Sequence, residues 1–279
     1  MASSSVRPPV MQRLLRGAMV LDGAMGTALY ERGVLYSSCF EELCVSRPEL
    51  VLSVHEAHLR AGAELLTTNS FGANRFRLRA HGLEERAGEL NRAAVALARQ
   101  AGGERSYVAG SVGPTGLLLK TLSETERAAI EAAYREQCEA LLEAGVDCFL
   151  LETFRQPEEI EIAVSTARAV APELPLIALV SFDAAGTMAD GTGPEEMAAR
   201  LAQWGADVIG VNCADGPAGV YEMVTRMLSP KLPLIAKPNA GLPQRVDGRF
   251  AYMATPDYFQ LYARRLYKAG IKAVGGCCG

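Results

Sequence analysis

The sequence predicts an α/β fold, a single (β/α)8 barrel of the TIM type, on three observations. Eight short apolar runs recur along the chain, segments of helical periodicity lie between them, and one helix-to-strand phrase is reiterated. The runs are continuous rather than alternating, as strands covered on both faces by helices require. The phrases RAGAELL, EAGVDCF, QWGADVI and KAGIKAV are near copies of one another. Each reads as a helix end, a glycine turn and the start of a strand. Strands alternating with helices give a parallel sheet, closed as a barrel or, as the weaker choice, open and doubly wound.

Taken in order, residues 1–16 form an N-terminal arm, polar and proline-bearing, ahead of a barrel over residues 17–279. The strand runs are AMVLD (18–22), ELLTTN (64–69), SYVAGS (106–111), DCFLLE (147–152), LIALVSF (176–182), DVIGVNC (207–213), LIAKPN (234–239) and AVGGCC (273–278). Between the first two, Pro48 opens a helix through Arg60 ahead of Gly62. Ser123 and Glu126 make a capping box, and that helix runs to Ala144, where Gly145 tolerates the left-handed closing position. Pro157 opens a further helix, and Thr255 with Pro256 opens one that ends near Gly270. The sequence stops just past the eighth run, so the eighth outer helix is absent. The expectation is a module of a longer chain, or an arm that covers the gap.

The 279 residues suit one barrel or two smaller domains. A hydrophobic content of 49% with 22% charged residues is that of a globular chain with a large core. The net charge of −4 carries no basic footprint, which speaks against nucleic acid or an anionic membrane surface as partner. No run reaches the ~20 apolar residues of a membrane span, and the start lacks the apolar core of a signal peptide. A cytoplasmic protein is the expectation. There thiols stay reduced, so seven cysteines read as core residues, metal ligands or nucleophiles rather than disulfides.

In a barrel, chemistry sits at the C-terminal ends of the strands. Those ends carry Asp22, Thr68 and Asn69, Ser111, Glu152, Ser181 and Asp183, Asn212 and Cys213, Lys237 and Asn239, and Cys277 with Cys278. Three cysteines and two isolated carboxylates thus meet on one rim. Three thiolates with an open fourth position describe a reactive tetrahedral zinc site. Adjacent cysteines also suit a strained redox disulfide or an accident of sequence, and the spacing alone leaves those readings open. Cys39, Cys44, Cys138 and Cys148 read as structural. His55 and His58 share a helix face that is read as solvated or turned to the strand backs, and with no histidine at a strand end the nucleophilic triads lack a base. The glycine-rich turns DGAMGT and GSVGPTG match neither the dinucleotide nor the P-loop pattern, although backbone N–H groups of such a turn can hold a carboxylate.

LDGAMGT, TTNSFGANRF, AGSVGPTG, LLETF, VIGVNC, KPNAGLP and the terminal VGGCCG, in that order and over nearly the whole chain, resemble the blocks of the homocysteine S-methyltransferase family. PNAGLPQRVDGR followed by TPDYFQLYARR is similar to the homocysteine modules of cobalamin-dependent methionine synthases and of bifunctional enzymes that add a methylenetetrahydrofolate reductase. The resemblance implies a zinc-dependent methyltransferase that converts homocysteine to methionine, with the zinc-bound homocysteine thiolate as nucleophile. It implies Zn2+ on Cys213, Cys277 and Cys278, substrate contacts at Asp22, Gly23 and Glu152, and Asn239 as an oxygen ligand filling the fourth zinc position without substrate. The methyl donor stays open among methylcobalamin, S-methylmethionine, S-adenosylmethionine and methyltetrahydrofolate, with a cobalamin or folate module as possible partner. Two rival readings stand beside it: a Schiff-base barrel aldolase using Lys237, and a binding module that stores zinc or homocysteine without turnover.

Overall fold

A computed structural model describes residues 7–119, 122–228, 232–246 and 249–279. The eight apolar runs become β1 (Met19–Val20), β2 (Leu65–Thr67), β3 (Tyr107–Val112), β4 (Cys148–Phe154), β5 (Leu176–Val180), β6 (Val208–Cys213), β7 (Leu234–Pro238) and β10 (Ala273–Val274). Between the last two, β8 (Gln244–Val246) and β9 (Arg249–Ala251) pair as an antiparallel hairpin above the barrel strands. The eight barrel strands are parallel in the order β1-β10-β7-β6-β5-β4-β3-β2. A bridge from Leu21 to Leu65 brings the two ends of the sheet together, so the barrel reading holds over the open sheet.

The helices follow the end signals in the sequence. They are α1 (Val10–Leu15), α2 (Gly26–Glu31), α3 (Leu43–Ser46), α4 (Pro48–Arg60), α5 (Arg75–Leu78), α6 (Ala87–Gly102), α7 (Glu124–Glu143), α8 (Pro157–Val170), α9 (Pro194–Trp204), α10 (Pro217–Arg226) and α11 (Pro256–Lys268). The Ser123–Glu126 capping box is formed in both directions, and Gly145 takes the left-handed conformation just past α7. Proline stands in the first turn of α4, α8 and α11, where its missing N–H costs nothing.

Side chains alternate along each strand between two cores. Leu66, Val108, Phe149, Leu151, Ala178, Val180, Ile209 and Ala236 face outward and pack with the helices. Leu65, Tyr107, Ala109, Cys148, Leu150, Ile177, Leu179, Val208 and Ile235 face inward and fill the barrel. The inward columns continue upward into Thr67, Ser111, Glu152, Ser181, Asn212 and Lys237, so the period of two places a polar layer on top of an apolar plug. That layer is the floor of the site.

The arm is part of this core. Val10 and Leu14 of α1 join the inward cluster from the end opposite the polar layer, and the Tyr107 hydroxyl donates to Pro8 O at 2.6 Å. Arg13 fixes the helix to Glu64, with 2.6 Å from Nε to Oε2. The described part of the arm therefore plugs the barrel bottom; residues 1–6 lie outside the described residues. A groove of about 750 Å³ runs along β1 and β10, bounded by Ala61 just after α4 and by Phe259, Ala263 and Tyr267 of α11.

Candidate functional site

The strand ends are shaped by backbone that ordinary residues adopt reluctantly. Thr153, Cys213 and Ala214 have positive φ, at 68°, 64° and 57°. Such conformations cost of order 1–3 kcal/mol each and persist where neighbours over-determine them. Asn212 supplies that restraint for Thr153: its Oδ1 accepts from Thr153 N at 2.8 Å and its Nδ2 donates to Thr153 Oγ1 at 2.7 Å. The kink shifts the β4–β5 register between Leu151 and Phe154. Gly275 is required for a different reason. A Cβ there would stand 2.6 Å from Asp22 O, so only glycine lets β10 press against the end of β1 and deliver Cys277 to the mouth.

On one side of the mouth, Asp22, Glu152 and Lys237 are 3%, 7% and 2% exposed, which makes their pairing obligatory. Lys237 Nζ donates to Thr67 Oγ1 at 2.9 Å and Asp22 Oδ1 at 3.3 Å, and stands 3.8 Å from Glu152 Oε2. Thr67 also gives Asp22 its backbone N–H at 2.5 Å and its hydroxyl at 2.8 Å. Burial alone would raise the Asp22 carboxyl, but Lys237, with smaller help from His58 and Thr67, holds it below the usual carboxylate value. Burial would likewise lower Lys237, and Asp22 and then Glu152 hold it above its ordinary value instead. A lysine set between two carboxylates is favoured as the charged ammonium, whereas a Schiff base needs the neutral amine, and this speaks against the aldolase reading. Two carboxylates against one lysine leave one net negative charge.

On the other side, the three rim cysteines converge. Cys213 exchanges hydrogen bonds with Cys277 and Cys278, which hold its thiol far below its ordinary value, while Cys277 is raised by sharing with Cys213 and Cys278 is pushed to about 11 by the same neighbour. Asn212 Nδ2 lies 3.5 Å from Cys277 Sγ and Asn239 Nδ2 lies 3.3 Å from Cys213 Sγ, so these two sulfurs each face an amide donor. Among the described residues, no group of three His, Cys, Asp or Glu side chains is already drawn together as a metal cage. Asn239 turns its nitrogen to the sulfur, because its Oδ1 accepts from Cys278 N at 3.0 Å and its Nδ2 also donates to Ala214 O at 2.8 Å. Service as an oxygen ligand would require giving up these bonds.

Of the other strand-end residues, Ser111 donates to Glu152 Oε1 at 2.6 Å and Ser181 to Asn212 O at 2.7 Å. Thr68, Asn69 and Asp183 stand apart: Thr68 bonds Ser70, Asn69 bonds Phe40 O, and Asp183 caps its own loop. Gly23 sits in the turn after β1, where His58 Nε2 would meet a Cβ at 3.0 Å, and the N–H groups of Gly23 and Ala24 donate to no protein acceptor among the described residues. Burial pushes Cys39 to about 11 and Cys44 and Cys138 to about 12, and raises Cys148 as well, as structural thiols require.

Four residues of the site escaped the sequence reading. Thr67, one residue before the Thr68 singled out above, is the inward member of its pair, a distinction the period of two could have supplied. His55 and His58 are not on a solvated face: His55 is fully buried and His58 stands against Gly23 near Asp22. Tyr252, after the β8–β9 hairpin, hydrogen-bonds Cys278 and is itself raised by burial and by that sulfur, a contact across sequence that no local pattern announces.

A family model described as homocysteine S-methyltransferase matches residues 19–279. The chain is 32% identical over 290 residues to a methionine synthase of Mycobacterium leprae, covering 97% of this chain and 24% of that protein, so it spans about a quarter of that relative's length. It is 33% identical over 295 residues to betaine--homocysteine S-methyltransferase 1 of Pongo abelii, covering 97% of this chain and 71% of that one. Among solved structures, the metallated form of the homocysteine methyltransferase MmuM from Escherichia coli superposes with a TM-score of 0.78 at 28% identity, over 97% of this chain and 95% of that one.

Proposed function

Since the chain belongs to the homocysteine S-methyltransferase family, we propose that its barrel mouth binds homocysteine and transfers a methyl group to the thiol, giving methionine. The observation that carries this reading is that the acid side and the thiol side share one mouth and one linking residue, Asn212, which bonds Thr153 beside Glu152 and also Cys277. The single negative charge among Asp22, Glu152 and Lys237 suits the α-ammonium of an amino acid. The free N–H groups of Gly23 and Ala24 suit its carboxylate. The remaining end of such a molecule reaches toward the sulfurs.

The donor set fits zinc. Three cysteines, two of them faced by amide N–H groups, are the soft ligands and supporting donors that metal takes. Cys213, Cys277 and Cys278 would hold it, and when bound it would favour the ionised form of the substrate thiol. Ionising a thiol of pKa ~8.5 at neutral pH accounts for only about 2 kcal/mol, so most of the acceleration falls to positioning by the barrel. Asp22 and Glu152 serve that positioning as fixed charges rather than as acid and base. Asn239 keeps the Cys213 sulfur in place through its Nδ2, and Asn212 does the same for Cys277.

The test is turnover. Protein loaded with zinc is expected to form methionine from homocysteine with one of betaine, S-methylmethionine, S-adenosylmethionine, methylcobalamin or methyltetrahydrofolate. Homocysteine binding without methionine from any donor leaves a binding module; absence of homocysteine binding ends the proposal.

A further inference from the structure

Four carboxylate oxygens face the acid side of the mouth, and they are not equivalent. Asp22 Oδ2 accepts from Thr67 N at 2.5 Å, and Asp22 Oδ1 accepts from Thr67 Oγ1 at 2.8 Å and from Lys237 Nζ at 3.3 Å. Glu152 Oε1 accepts from Ser111 Oγ at 2.6 Å. Among the described residues, only Glu152 Oε2 has no hydrogen-bond donor, since Lys237 Nζ at 3.8 Å is an ion-pair neighbour beyond hydrogen-bond reach. The Glu152 side chain is also the more open of the two, 10% exposed against 2% for Asp22.

We propose that Lys237 is a positioning and specificity-determining residue: it permanently neutralises Asp22, and so leaves Glu152 Oε2 as the one anionic acceptor for the α-ammonium of the thiol substrate. This deepens the homocysteine reading above and rests on it. Asp22 is then the buttress of Lys237 rather than a ligand of the ammonium. The count also fixes the class of ligand. One uncompensated negative charge is balanced by a monocation, whereas a thiol without an amino group leaves it buried and unpaired.

The roles separate in a pair of variants. In Asp22→Asn the Thr67 bonds can still form, but Lys237 loses its anionic partner and turns to Glu152, where it competes with the substrate. Homocysteine should bind roughly tenfold or more weakly, the loss of a charge-assisted contact. Removing the competitor in Asp22→Asn with Lys237→Met restores a lone Glu152 and the net count of one. Affinity should return to within about threefold of wild type, a rescue that two merely structural lesions would not give.

The measurement is calorimetric titration of zinc-loaded protein with homocysteine and with 4-mercaptobutyrate, which lacks the amino group. Lys237→Gln replaces Lys237→Met should the methionine variant fail to fold, since the amide can still donate to Thr67. Rescue of homocysteine affinity, with 4-mercaptobutyrate not following that fall and recovery, supports the division. A double variant as weak as Asp22→Asn alone overturns it and makes Asp22 a direct ligand. Wild-type protein that binds the two thiols alike overturns the homocysteine reading and this division with it.

Discussion

The acid side and the thiol side of the mouth bury negative charge by different means. Asp22 and Glu152 have a resident lysine and donors on three of their four oxygens, an arrangement complete except for one acceptor. Cys213, Cys277 and Cys278 share protons among themselves, and among the described residues no basic side chain hydrogen-bonds any of the sulfurs. The acid side stands with its own cation, as a buried charge must. The thiol side is compensated only by protons and amide dipoles, so its preference for a dication is stronger. The contrast predicts that the two sides fail separately: thiol variants lose metal, and acid variants lose the amino-acid substrate while keeping metal.

The largest effect expected is the loss of metal. Wild-type protein should carry about one zinc per chain, because three converging thiols bind it tightly. In Cys277→Ala with Cys278→Ala, zinc by elemental analysis should fall to none and methionine formation should stop, with the circular dichroism of the barrel unchanged. Stoichiometric zinc in that variant breaks the comparison at its thiol end. Glu152→Gln tests the other end. Homocysteine affinity should fall by about 1.5 to 3 kcal/mol, ten- to a hundredfold, because a charged acceptor is lost. Zinc content should stay at the wild-type value, and loss of zinc here would show that the sides are not separate.

These two sides were legible in the sequence to different depths. The continuous apolar runs, with polar residues at their C-terminal ends, located Asp22, Glu152, Lys237 and the three cysteines without any knowledge of which columns point inward. Thr68 in place of Thr67 is the cost of that ignorance: one residue along a strand reverses the face. The close approach of Gly275 to Asp22 could not be foreseen either, because it is a contact between the first and last barrel strands. Lys237 was visible as a strand-end residue, but its role depends on two carboxylates from other strands. For the histidines of α4 the sequence left two faces open, solvent or the backs of the strands, and the structure buries His55 fully.

His55 sharpens the comparison from the acid side's rear. Among the described residues neither ring nitrogen has a partner, and burial lowers its pKa to about 4 against an ordinary 6.5. Between these values the unfolded chain binds a proton that the folded one refuses, so stability is highest above pH 6.5 and falls as pH drops through the window. Near pH 5 the loss is about 2 kcal/mol. His55→Leu should remove that acid sensitivity and raise the urea midpoint most at low pH, while the neutral-pH affinity for homocysteine stays as it was. An unchanged slope of stability against pH would show that His55 is protonated or partnered in the folded protein.

The smallest effect is expected at Tyr252, whose hydroxyl reaches the thiol side from the hairpin arm and lowers the proton affinity of Cys278. Tyr252→Phe removes one hydrogen bond to a sulfur and leaves the ring in place. A bond of this kind is worth about 1 kcal/mol net, so zinc affinity should fall by roughly fivefold while loading at saturating zinc still reaches the wild-type level. The side chain touches neither Glu152 nor Lys237, and the ratio of homocysteine to 4-mercaptobutyrate affinity should therefore be untouched. Competition with a chromophoric zinc chelator reads the first quantity and calorimetry the second. A changed ratio would mean that a hydrogen bond on Cys278 is felt at the acid side, and Asn212, which bonds both Thr153 and Cys277, would then be the physical route between them.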